Sequence, residues 1–439
     1  MIAHLAAALS SRNISTRLEA IEELLEAAEA NTDLTAALGA LGRALSDVDA
    51  SIRERAGQVL GYWSRAGGAP GDAVAGLVAA LGDRQLALVV GECLRDALSG
   101  ADAPAIRAAL EEAALGGEPL QSRGAAGLLM RGRLLSETPQ RAADLLTSSL
   151  ARIREGACES AVSAARDGID VSVLMSVLDP LLQEASSSGV ADHVAWLVIR
   201  TEPSRTAELL AHPDDAVRLG TLTALAEFCD AGEPPQAAHE PLWACLAHPV
   251  VEIRLKAVGV FVAMARAGLP LSDSVSVLGA ALSDAAPDVR HEAVQALLWM
   301  ARSGQNLEAA GIGAVLASGG VRLRKAAAMA WGWHLLSHGT AEDAAALLVS
   351  PDRHVRFGGA WGMTERHLSR HDAGALLDLL VHPDQMIGEV VVATMRQLRG
   401  DGHRVSAGLT ALHLLQQGGL VDGGRAGALF AEFLRESGR

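Results

Sequence analysis

The 439-residue sequence has few aromatic residues and almost no lysine. Aromatic residues make up 3% of the chain although 50% of it is hydrophobic, and Lys256 and Lys325 are its two lysines. A core with so few aromatic rings must consist mainly of Ala, Leu and Val, whose small side chains let helices approach to the usual distance of about 8–10 Å. No run of alternating β-branched residues is bounded by hairpin signals, so strands are not expected. The composition favours closely packed helices.

The sequence also lacks cysteine pairs and long apolar runs. Its four cysteines are far apart and form no CxxC motif; they are Cys93, Cys158, Cys229 and Cys245. We interpret them as reduced, buried core residues rather than zinc ligands or disulfides. No stretch reaches the roughly 18 uninterrupted apolar residues of a membrane span. Residues Met1–Leu5 carry no basic leader, so we expect a cytoplasmic protein.

Negative charge is concentrated in the first two thirds of the chain. Residues 1–300 hold 39 acidic and 23 basic side chains, whereas residues 301–439 hold 13 and 14, together with eight of the 14 histidines. Because neutralising phosphates requires clustered Lys and Arg, the acidic excess argues against general nucleic-acid binding. The stretch Arg353–Arg356 with Arg366, His367, Arg370 and His371 indicates either a local anion-binding face or a solvated helix end.

A short phrase recurs along the sequence every 27 to 37 residues. It is clearest in Asp214–Arg218, Val251–Ala257 and Pro287–Ala293, whose arginines are 36 residues apart in two successive steps. The residue that follows the recurrent Val, Ile or Leu marks each copy: Arg17, Arg53, Ala87, Gln121, Arg154, Ala191, Arg218, Arg254, Arg290, Arg324, Arg356, Gly388 and Val421. A period of 20–50 residues is typical of stacked supersecondary units rather than of one closed core.

Each period is predicted to form two helices. In the clearest copy, Ser272 is a plausible N-terminal cap of the first helix, and Pro287 opens the second helix, where a missing N–H costs nothing. One apolar stripe follows at helical spacing, formed by Val289, Ala293, Ala296 and Leu297. Gly304 is placed to end the helix.

These phrases resemble HEAT repeats. The resemblance rests on Val289-Arg290-x-x-Ala293, Leu323-Arg324-x-x-Ala327 and Ile52-Arg53-x-x-Ala56, and it covers nearly the whole chain. The copies are most similar to the short, Ala-rich repeats of bacterial and phycobilisome-lyase-like proteins. The resemblance implies an all-α fold, an α-solenoid of about 12–13 helical hairpins in a right-handed superhelix. We expect a single continuous array over residues 1–439, with a possible bend near residues 186–204.

The resemblance also implies a buried ladder of recurrent Asp and Arg residues between adjacent repeats. By that resemblance the pairs are structural: Asp49 with Arg53, Asp214 with Arg218, Asp288 with Arg290, and Asp352 with Arg356.

One enzyme family with such repeats, deoxyhypusine hydroxylase, resembles the chain at His291-Glu292. That family holds two irons with four His-Glu dyads, and the other repeats here do not supply the set. Asp192-His193 has the same offsets but lies three repeats away, roughly 30 Å or more at about 8–10 Å per helix layer. No Gly-rich phosphate loop, nucleophile elbow or HExxH motif occurs. We therefore predict no enzyme activity, no metal and no cofactor.

The candidate site lies at second-helix positions that the core does not require. Offsets 2, 3 and 6 from the recurrent Val, Ile or Leu line the concave groove in solenoids of this type. In the first five repeats these positions form an acidic row interrupted by arginines: Glu19, Glu22, Glu54, Arg55, Gln58, Glu92, Arg123, Glu155 and Glu159. From the sixth repeat onward the row changes, and we predict a partner-binding site formed by Asp192, His193, Trp196, His291, Lys325, Phe357 and Trp361.

Trp196 and Trp361 are the main candidates for contact with a partner. Both fall at offset 6, where an exposed aromatic residue is typical of an interface anchor. The alternative is that each side chain folds over a neighbouring repeat. Four other tryptophans, Trp63, Trp299, Trp331 and Trp333, fall at offsets expected in the core.

We therefore predict a non-enzymatic scaffold or adaptor that recognises a protein partner through the concave face. The acidic N-terminal part of the groove would suit basic segments of that partner. Two alternatives remain open: a damaged-base binder resembling the HEAT-like DNA glycosylases, and a lyase or chaperone for a tetrapyrrole-bearing protein.

Overall fold

The computed structural model describes residues 1–98, 103–135, 139–183, 190–233 and 239–417, together with 431 and 435. These residues form 25 α-helices and no strand, which confirms the all-α prediction. Residues 186–189, where the expected bend begins, and the repeat marked by Val421 lie outside the described residues.

The helices alternate between a shorter first helix and a longer second helix of each hairpin. The first helices are α1 (Ile2–Ala8), α3 (Leu38–Ala44), α5 (Val74–Ala80), α7 (Ala103–Gly116), α9 (Ala143–Leu146), α11 (Met175–Gln183), α13 (Thr206–Leu210), α15 (His239–Leu246), α17 (Val275–Ala281), α19 (Ile312–Ser318), α21 (Ala341–Leu348), α23 (Ala373–Leu380) and α25 (Ser406–Gln417). The second helices are α2 (Ile14–Glu29), α4 (Ala50–Arg65), α6 (Ala87–Ala97), α8 (Pro119–Leu134), α10 (Ala151–Arg166), α12 (Ala191–Thr201), α14 (Asp215–Asp230), α16 (Val251–Arg266), α18 (Pro287–Arg302), α20 (Val321–His338), α22 (Arg353–Ser369) and α24 (Gln385–Gly400).

Short 3₁₀ turns precede seven of the first helices among the described residues. They are Thr35–Ala37, Gly71–Ala73, Pro139–Ala142, Ser172–Leu174, Pro203–Arg205, Ser272–Ser274 and Glu308–Ala310. The expected cap at Ser272 is therefore wrong: Ser272 begins a 3₁₀ turn, and α17 starts at Val275.

The second helix of that repeat follows the sequence prediction. Pro287 is its first residue and Gly304, at φ +85°, lies just past its end. Glycine adopts this left-handed conformation without the Cβ clash of other residues. The predicted apolar stripe is fully buried, with Val289 and Ala293 both at 0% exposure.

The marker residue falls fourth in most second helices, but α6 and α12 begin at their markers, Ala87 and Ala191. These two helices have 11 residues, whereas α4, α10 and α18 have 16. Two repeats therefore have a shortened second helix, whereas α8, whose marker is Gln121, has the full 16 residues.

The marker arginines bridge successive repeats, but their partners differ from the expected ones. Arg17 Nε donates to Asp47 Oδ2 at 2.8 Å, thirty residues further on, and Nη1 donates to the carbonyl of Ser11 at 2.9 Å. Equivalent ion pairs join Arg53 to Asp83, Arg254 to Asp284, Arg324 to Asp352 and Arg356 to Asp384. The ladder is thus confirmed as a link between repeats.

Residues of the four named pairs make structural contacts, as the resemblance implies, but the contacts seen in the described residues are with other groups. Asp49 instead caps α4 by accepting from the N–H groups of Ser51 and Ile52. Arg290 donates to the carbonyls of Asp284 and Ala285. Arg218 pairs with Asp215, and Asp352 with Arg324. A marker arginine lies in the first turn of its second helix and reaches the Asp in the turn of the following repeat. The Asp that caps the arginine's own helix is therefore not its partner.

The chain divides into two compact units. Unit 1 comprises Met1–Arg205 and His212–Thr221, and unit 2 comprises Thr206–Ala211 and Leu222–Arg439. The single continuous array expected from the sequence stays a prediction.

The interior of each unit is as apolar as the sequence predicts. All four cysteines are buried free thiols, and burial raises the pKa of Cys93 and Cys158 to about 12. Such thiols are chemically inert at neutral pH. In the part of the chain that the structure describes, no helix is long and apolar enough to cross a membrane.

Candidate partner-binding surface

The seven predicted site residues fall in different units. Asp192, His193 and Trp196 lie on α12 in unit 1, and the others lie on α18, α20 and α22 in unit 2: His291, Lys325, Phe357 and Trp361.

Trp196 is not an exposed anchor. Its side chain is 4% exposed, and the Arg166 guanidinium lies over its ring at 5.1 Å. The six consecutive residues Val194–Ile199 are all buried, so this part of α12 has no open face. The sequence prediction assumed that offset 6 of a full-length helix faces solvent, and that assumption does not hold for the short α12.

Asp192 and His193 interact with each other on α12. His193 Nδ1 and Asp192 Oδ1 are 2.8 Å apart. This hydrogen bond raises the pKa of His193 and lowers the pKa of Asp192. The hydrogen bond stabilises the charged imidazole beside the carboxylate. Because Trp196 is buried, neither side chain lies next to an exposed aromatic residue.

Helices α20 and α22 in unit 2 pack with their backbones in contact. A Cβ added at Gly358 would overlap the carbonyl of Lys325, and one added at Gly362 would overlap the carbonyl of Met329. Only glycine permits such an approach, so the spacing Gly358-x-x-x-Gly362 determines how close the two helices lie. The result is that side chains on the facing turns of α20 and α22 meet.

Lys325 lies on an aromatic surface formed by α22. Its Nζ is 3.7 Å from the centroid of the Phe357 ring and 5.8 Å from that of Trp361. The two rings are one helical turn apart and stack at 5.8 Å with an interplanar angle of 26°. All three side chains are half-buried. An ammonium within about 6 Å of an aromatic face is attracted to it.

The Lys325 ammonium has no carboxylate partner among the residues that the structure describes. Partial burial lowers its pKa. The cation is therefore held by ring faces alone, at a surface where an incoming carboxylate can still reach it.

An ion pair between half-buried Arg302 and buried Glu365 holds the Trp361 ring in place. Trp361 Nε1 donates to Glu365 Oε1 at 2.9 Å, and Arg302 Nη2 donates to Glu365 Oε2 at 2.5 Å. Glu365 is 7% exposed. Arg302 belongs to α18, 63 residues earlier, so the pair spans three successive second helices. Its guanidinium also lies 4.7 Å from the ring of Trp299.

The sequence prediction missed Glu365 and Arg302. Neither belongs to the repeat phrase. Glu26, Asp96 and Glu227 occupy the same offset as Glu365, so an acidic residue at this offset does not single it out. We name the surface of Lys325, Phe357, Trp361, Glu365 and Arg302 the aromatic platform.

His291 is exposed on α18, at the same offset as Lys325 on α20 and Phe357 on α22. It therefore occupies the position preceding Lys325 along the row of second helices. Its neighbour Glu292 is half-buried, and no cluster of three or more metal-ligating side chains occurs within the described residues.

Part of the basic stretch near residue 353 has a structural role. Arg356 pairs with Asp384 at 2.8 Å, and the Arg366 guanidinium lies over the ring of Trp333 at 5.6 Å. Because Arg356 and Arg366 make these contacts, fewer cations remain to bind a phosphate than the sequence indicates.

In unit 1, arginines of the acidic row pair with three of its six carboxylates. Arg55 pairs with Glu22, and Arg123 pairs with both Glu155 and Glu159. Ion pairing leaves the net negative charge of the row unchanged, and the expectation that the row suits basic segments stays a prediction.

The four tryptophans expected in the core are divided. Trp333 is buried as predicted, at 7% exposure, whereas Trp63, Trp299 and Trp331 are half-buried.

No protein-family model matches the sequence, and no curated protein matches it. Solved structures do match. Kap95 in the Kap95:Nup1 complex has a TM-score of 0.51 and 13% identity, over 90% of this chain and 55% of that chain. Karyopherin Kap121p bound to the extreme C-terminus of the protein phosphatase Cdc14p has a TM-score of 0.50 and 14% identity, over 90% and 52%.

A mutant of Kap121p gives a TM-score of 0.52 at 14% identity, over 94% of this chain and 46% of that chain. The chain therefore spans about half the length of these karyopherins. These neighbours are HEAT-repeat α-solenoids, and at such low identity the likeness establishes the fold: an α-solenoid built of helical hairpins.

Proposed function

We propose that this protein is a non-enzymatic scaffold or adaptor that binds a protein partner through the aromatic platform of unit 2. One observation carries the proposal: a half-buried lysine rests on two stacked aromatic rings, at 3.7 and 5.8 Å, and no carboxylate of the described chain neutralises it. Lys325 stands at an offset whose side chain is not part of the core of the repeat.

The platform has the features of an interface anchor. Aromatic residues dominate the binding energy of protein interfaces, especially where the surrounding structure holds them in place. Here Trp361 is hydrogen-bonded to Glu365, which Arg302 holds in turn. A side chain fixed before binding loses little rotamer entropy when the partner arrives, so more of the contact energy appears as affinity.

The chemistry of the platform predicts the part of the partner that it contacts. The Lys325 ammonium offers three N–H donors to a carboxylate, and the exposed portions of Phe357 and Trp361 offer apolar area beside it. We infer that the partner presents an acidic side chain next to an apolar one. The solved karyopherin neighbours were captured with protein partners, Nup1 and the Cdc14p C-terminus, which is consistent with a protein-binding role for the fold.

The test begins with co-purification of the full-length native chain and identification of the retained protein by mass spectrometry. The affinity of that protein is then measured for the wild type and for Lys325→Glu, Phe357→Ala and Trp361→Ala. We expect each change to weaken binding by at least about 2 kcal/mol, roughly 30-fold, as for an interface hot spot. Lys256→Glu is the matched control, because Lys256 is the other lysine of the chain and is exposed on α16.

Equal affinities for the wild type and all three platform variants would contradict the proposal. A parallel titration with duplex DNA separates it from the damaged-base alternative: salt-dependent binding of duplex DNA, lost in Lys325→Glu but not in Lys256→Glu, would replace a protein partner by nucleic acid.

A further inference from the structure

Helix α20 has a second face, away from the aromatic platform. At 100° per residue, Trp331 lies about 120° and His334 about 180° around the helix from Lys325. That face borders a cleft of ≈ 960 Å³, whose walls also include α19, α21 and the turn that precedes α22. All of these elements belong to unit 2.

Three rings of α20 stack along the wall of this cleft. Trp331 and His334 have centroids 4.6 Å apart at 28°, and His334 and His338 have centroids 5.2 Å apart at 24°. His338 Nε2 lies 2.8 Å from the carbonyl oxygen of Gly304, which orients the outer ring. The stack presents the half-buried Trp331 ring at one end.

His334 carries an N–H group that has no acceptor. Its side chain is 4% exposed, and its Nδ1 accepts a hydrogen bond from the N–H of Leu307 at 3.3 Å. The proton of the neutral imidazole must therefore be on Nε2. No hydrogen bond from this Nε2 forms within the described part of the chain, and His334 lines the cleft. This Nε2 is not one of the fully enclosed polar atoms of the described residues; it is open to the cleft, where the acceptor of a ligand can take the place of water.

The cleft is lined by acidic side chains and by no lysine or arginine. The acidic side chains are those of Glu308, Asp343 and Asp352. Asp343 accepts from Thr340 at the start of α21, and Asp352 pairs with Arg324. Glu308 is exposed and forms no ion pair with any described residue. Burial, with a smaller effect of His338, lowers the pKa of His334 to about 4, so the ring is neutral at pH 7 and does not repel a cation.

From the unpartnered His334 donor, the Trp331 ring and the free Glu308 carboxylate, we propose that this cleft binds the cationic side chain of an arginine or lysine in a peptide segment. The cation lies against the Trp331 ring, which attracts it through its π face, and close to the carboxylate of Glu308. A backbone carbonyl of the same segment accepts the hydrogen bond from His334 Nε2. A free amine has the charge but no carbonyl, so the His334 donor favours a peptide.

The test uses the full-length protein and a fluorescein-labelled Gly-Gly-Arg-Gly-Gly peptide, with binding followed by fluorescence anisotropy. We expect saturable binding that Glu308→Gln and Trp331→Leu each weaken about fivefold or more, the loss of one cation–π or ionic contact of about 1 kcal/mol. Glu342→Gln is the matched control, because Glu342 is exposed on α21 but does not line the cleft. A thermal melt of each variant confirms that it is folded; Glu308 is exposed, so Glu308→Gln tests the site even if Trp331→Leu unfolds.

Three results would overturn the inference. They are no binding of the arginine peptide at millimolar concentration, equal binding of a Gly-Gly-Glu-Gly-Gly peptide, and affinities of Glu308→Gln and Trp331→Leu equal to that of Glu342→Gln. Putrescine serves as the competitor that lacks a carbonyl. Weak competition supports the peptide assignment, and displacement at the peptide's own affinity would assign the cleft to free amines instead. Because the cleft and the aromatic platform share no residue, the outcome is independent of the proposed function.

Discussion

Units 1 and 2 use the same repeat but place different chemistry at offsets 2 and 6 of a second helix. In unit 1, Arg123 on α8 meets the carboxylates of Glu155 and Glu159 on α10. In unit 2, Lys325 on α20 meets the rings of Phe357 and Trp361 on α22. In both places a cation reaches from one second helix to the next, but of the two only Arg123 is paired with carboxylates among the described residues.

The difference indicates where binding capacity lies. In the Arg123 cluster one cation is shared by two carboxylates. Such exposed ion pairs contribute roughly 0–1 kcal/mol, and the Arg123 charge is already paired there. A cation over aromatic rings keeps its charge available and adds apolar area. The shared repeat accounts for the packing of both units. Unit 2 has aromatic residues where unit 1 has carboxylates, and this difference is the reason for placing the partner on unit 2.

The largest effect that tests this comparison is expected from the two tryptophans at offset 6. Trp196→Ala in unit 1 removes a buried ring and should cost about 3–5 kcal/mol of unfolding free energy. Trp361→Ala in unit 2 removes a half-buried ring and should cost about 1 kcal/mol. Urea unfolding followed by circular dichroism measures both. Similar midpoints for the two variants would contradict the assignment of Trp196 to the core and Trp361 to the surface.

A smaller effect tests whether the scaffold is the same in both units. A Cβ at Gly156 would overlap the carbonyl of Arg123, just as one at Gly362 would overlap that of Met329. Gly156→Ala and Gly362→Ala should each destabilise the protein by about 1–3 kcal/mol through overpacking. Gly259→Ala on α16 is the control: nothing lies within 4 Å of an added Cβ there, and the helix should gain about 0.5–1 kcal/mol. A loss in only one unit would show that the helices of the two units pack differently.

The smallest effect concerns pH, and it has opposite signs in the two units. Burial lowers the pKa of His334 to about 4 from an ordinary value of 6.5, so the unfolded chain binds the extra proton first as pH falls. Stability is full above pH 6.5 and decreases toward pH 4, by about 1 kcal/mol between pH 7 and pH 5.5. The pKa of His193 is raised by Asp192, so its contribution is present below pH 6.5 and is lost as pH rises through the folded-state pKa.

Urea midpoints of the wild type, His334→Asn and His193→Asn at pH 5.5 and pH 7 separate the two histidines. His334→Asn should remove the loss of stability on acidification, and His193→Asn should enlarge it. Identical pH dependence in all three proteins would contradict both assignments.

Periodicity predicted the features that depend on local sequence. The stripe of Val289 and Ala293 is buried, Pro287 opens α18, and Gly304 lies just past its end, because these outcomes depend on helix geometry and on the backbone limits of proline and glycine. The four cysteines are buried free thiols, as predicted from a spacing that forms no CxxC motif.

The features that depend on neighbours in the stack were predicted less well. Trp196 was assigned by its offset, but α12 is an 11-residue helix enclosed by other helices. The Arg17 carboxylate partner is Asp47, in the turn of the following repeat. Offset describes the direction of a side chain on an ideal helix, whereas burial and pairing depend on what the next repeat places against it.

The sequence by itself determined the helical hairpins, their number of residues per period and the apolar stripe of each second helix, because these depend on contacts between residues close along the chain. Only the tertiary structure decided that Lys325 lies on the rings of Phe357 and Trp361 and that Arg302 reaches Glu365 across 63 residues. Those contacts depend on how closely glycines such as Gly358 and Gly362 let two helices approach. The period of the repeat does not encode that distance.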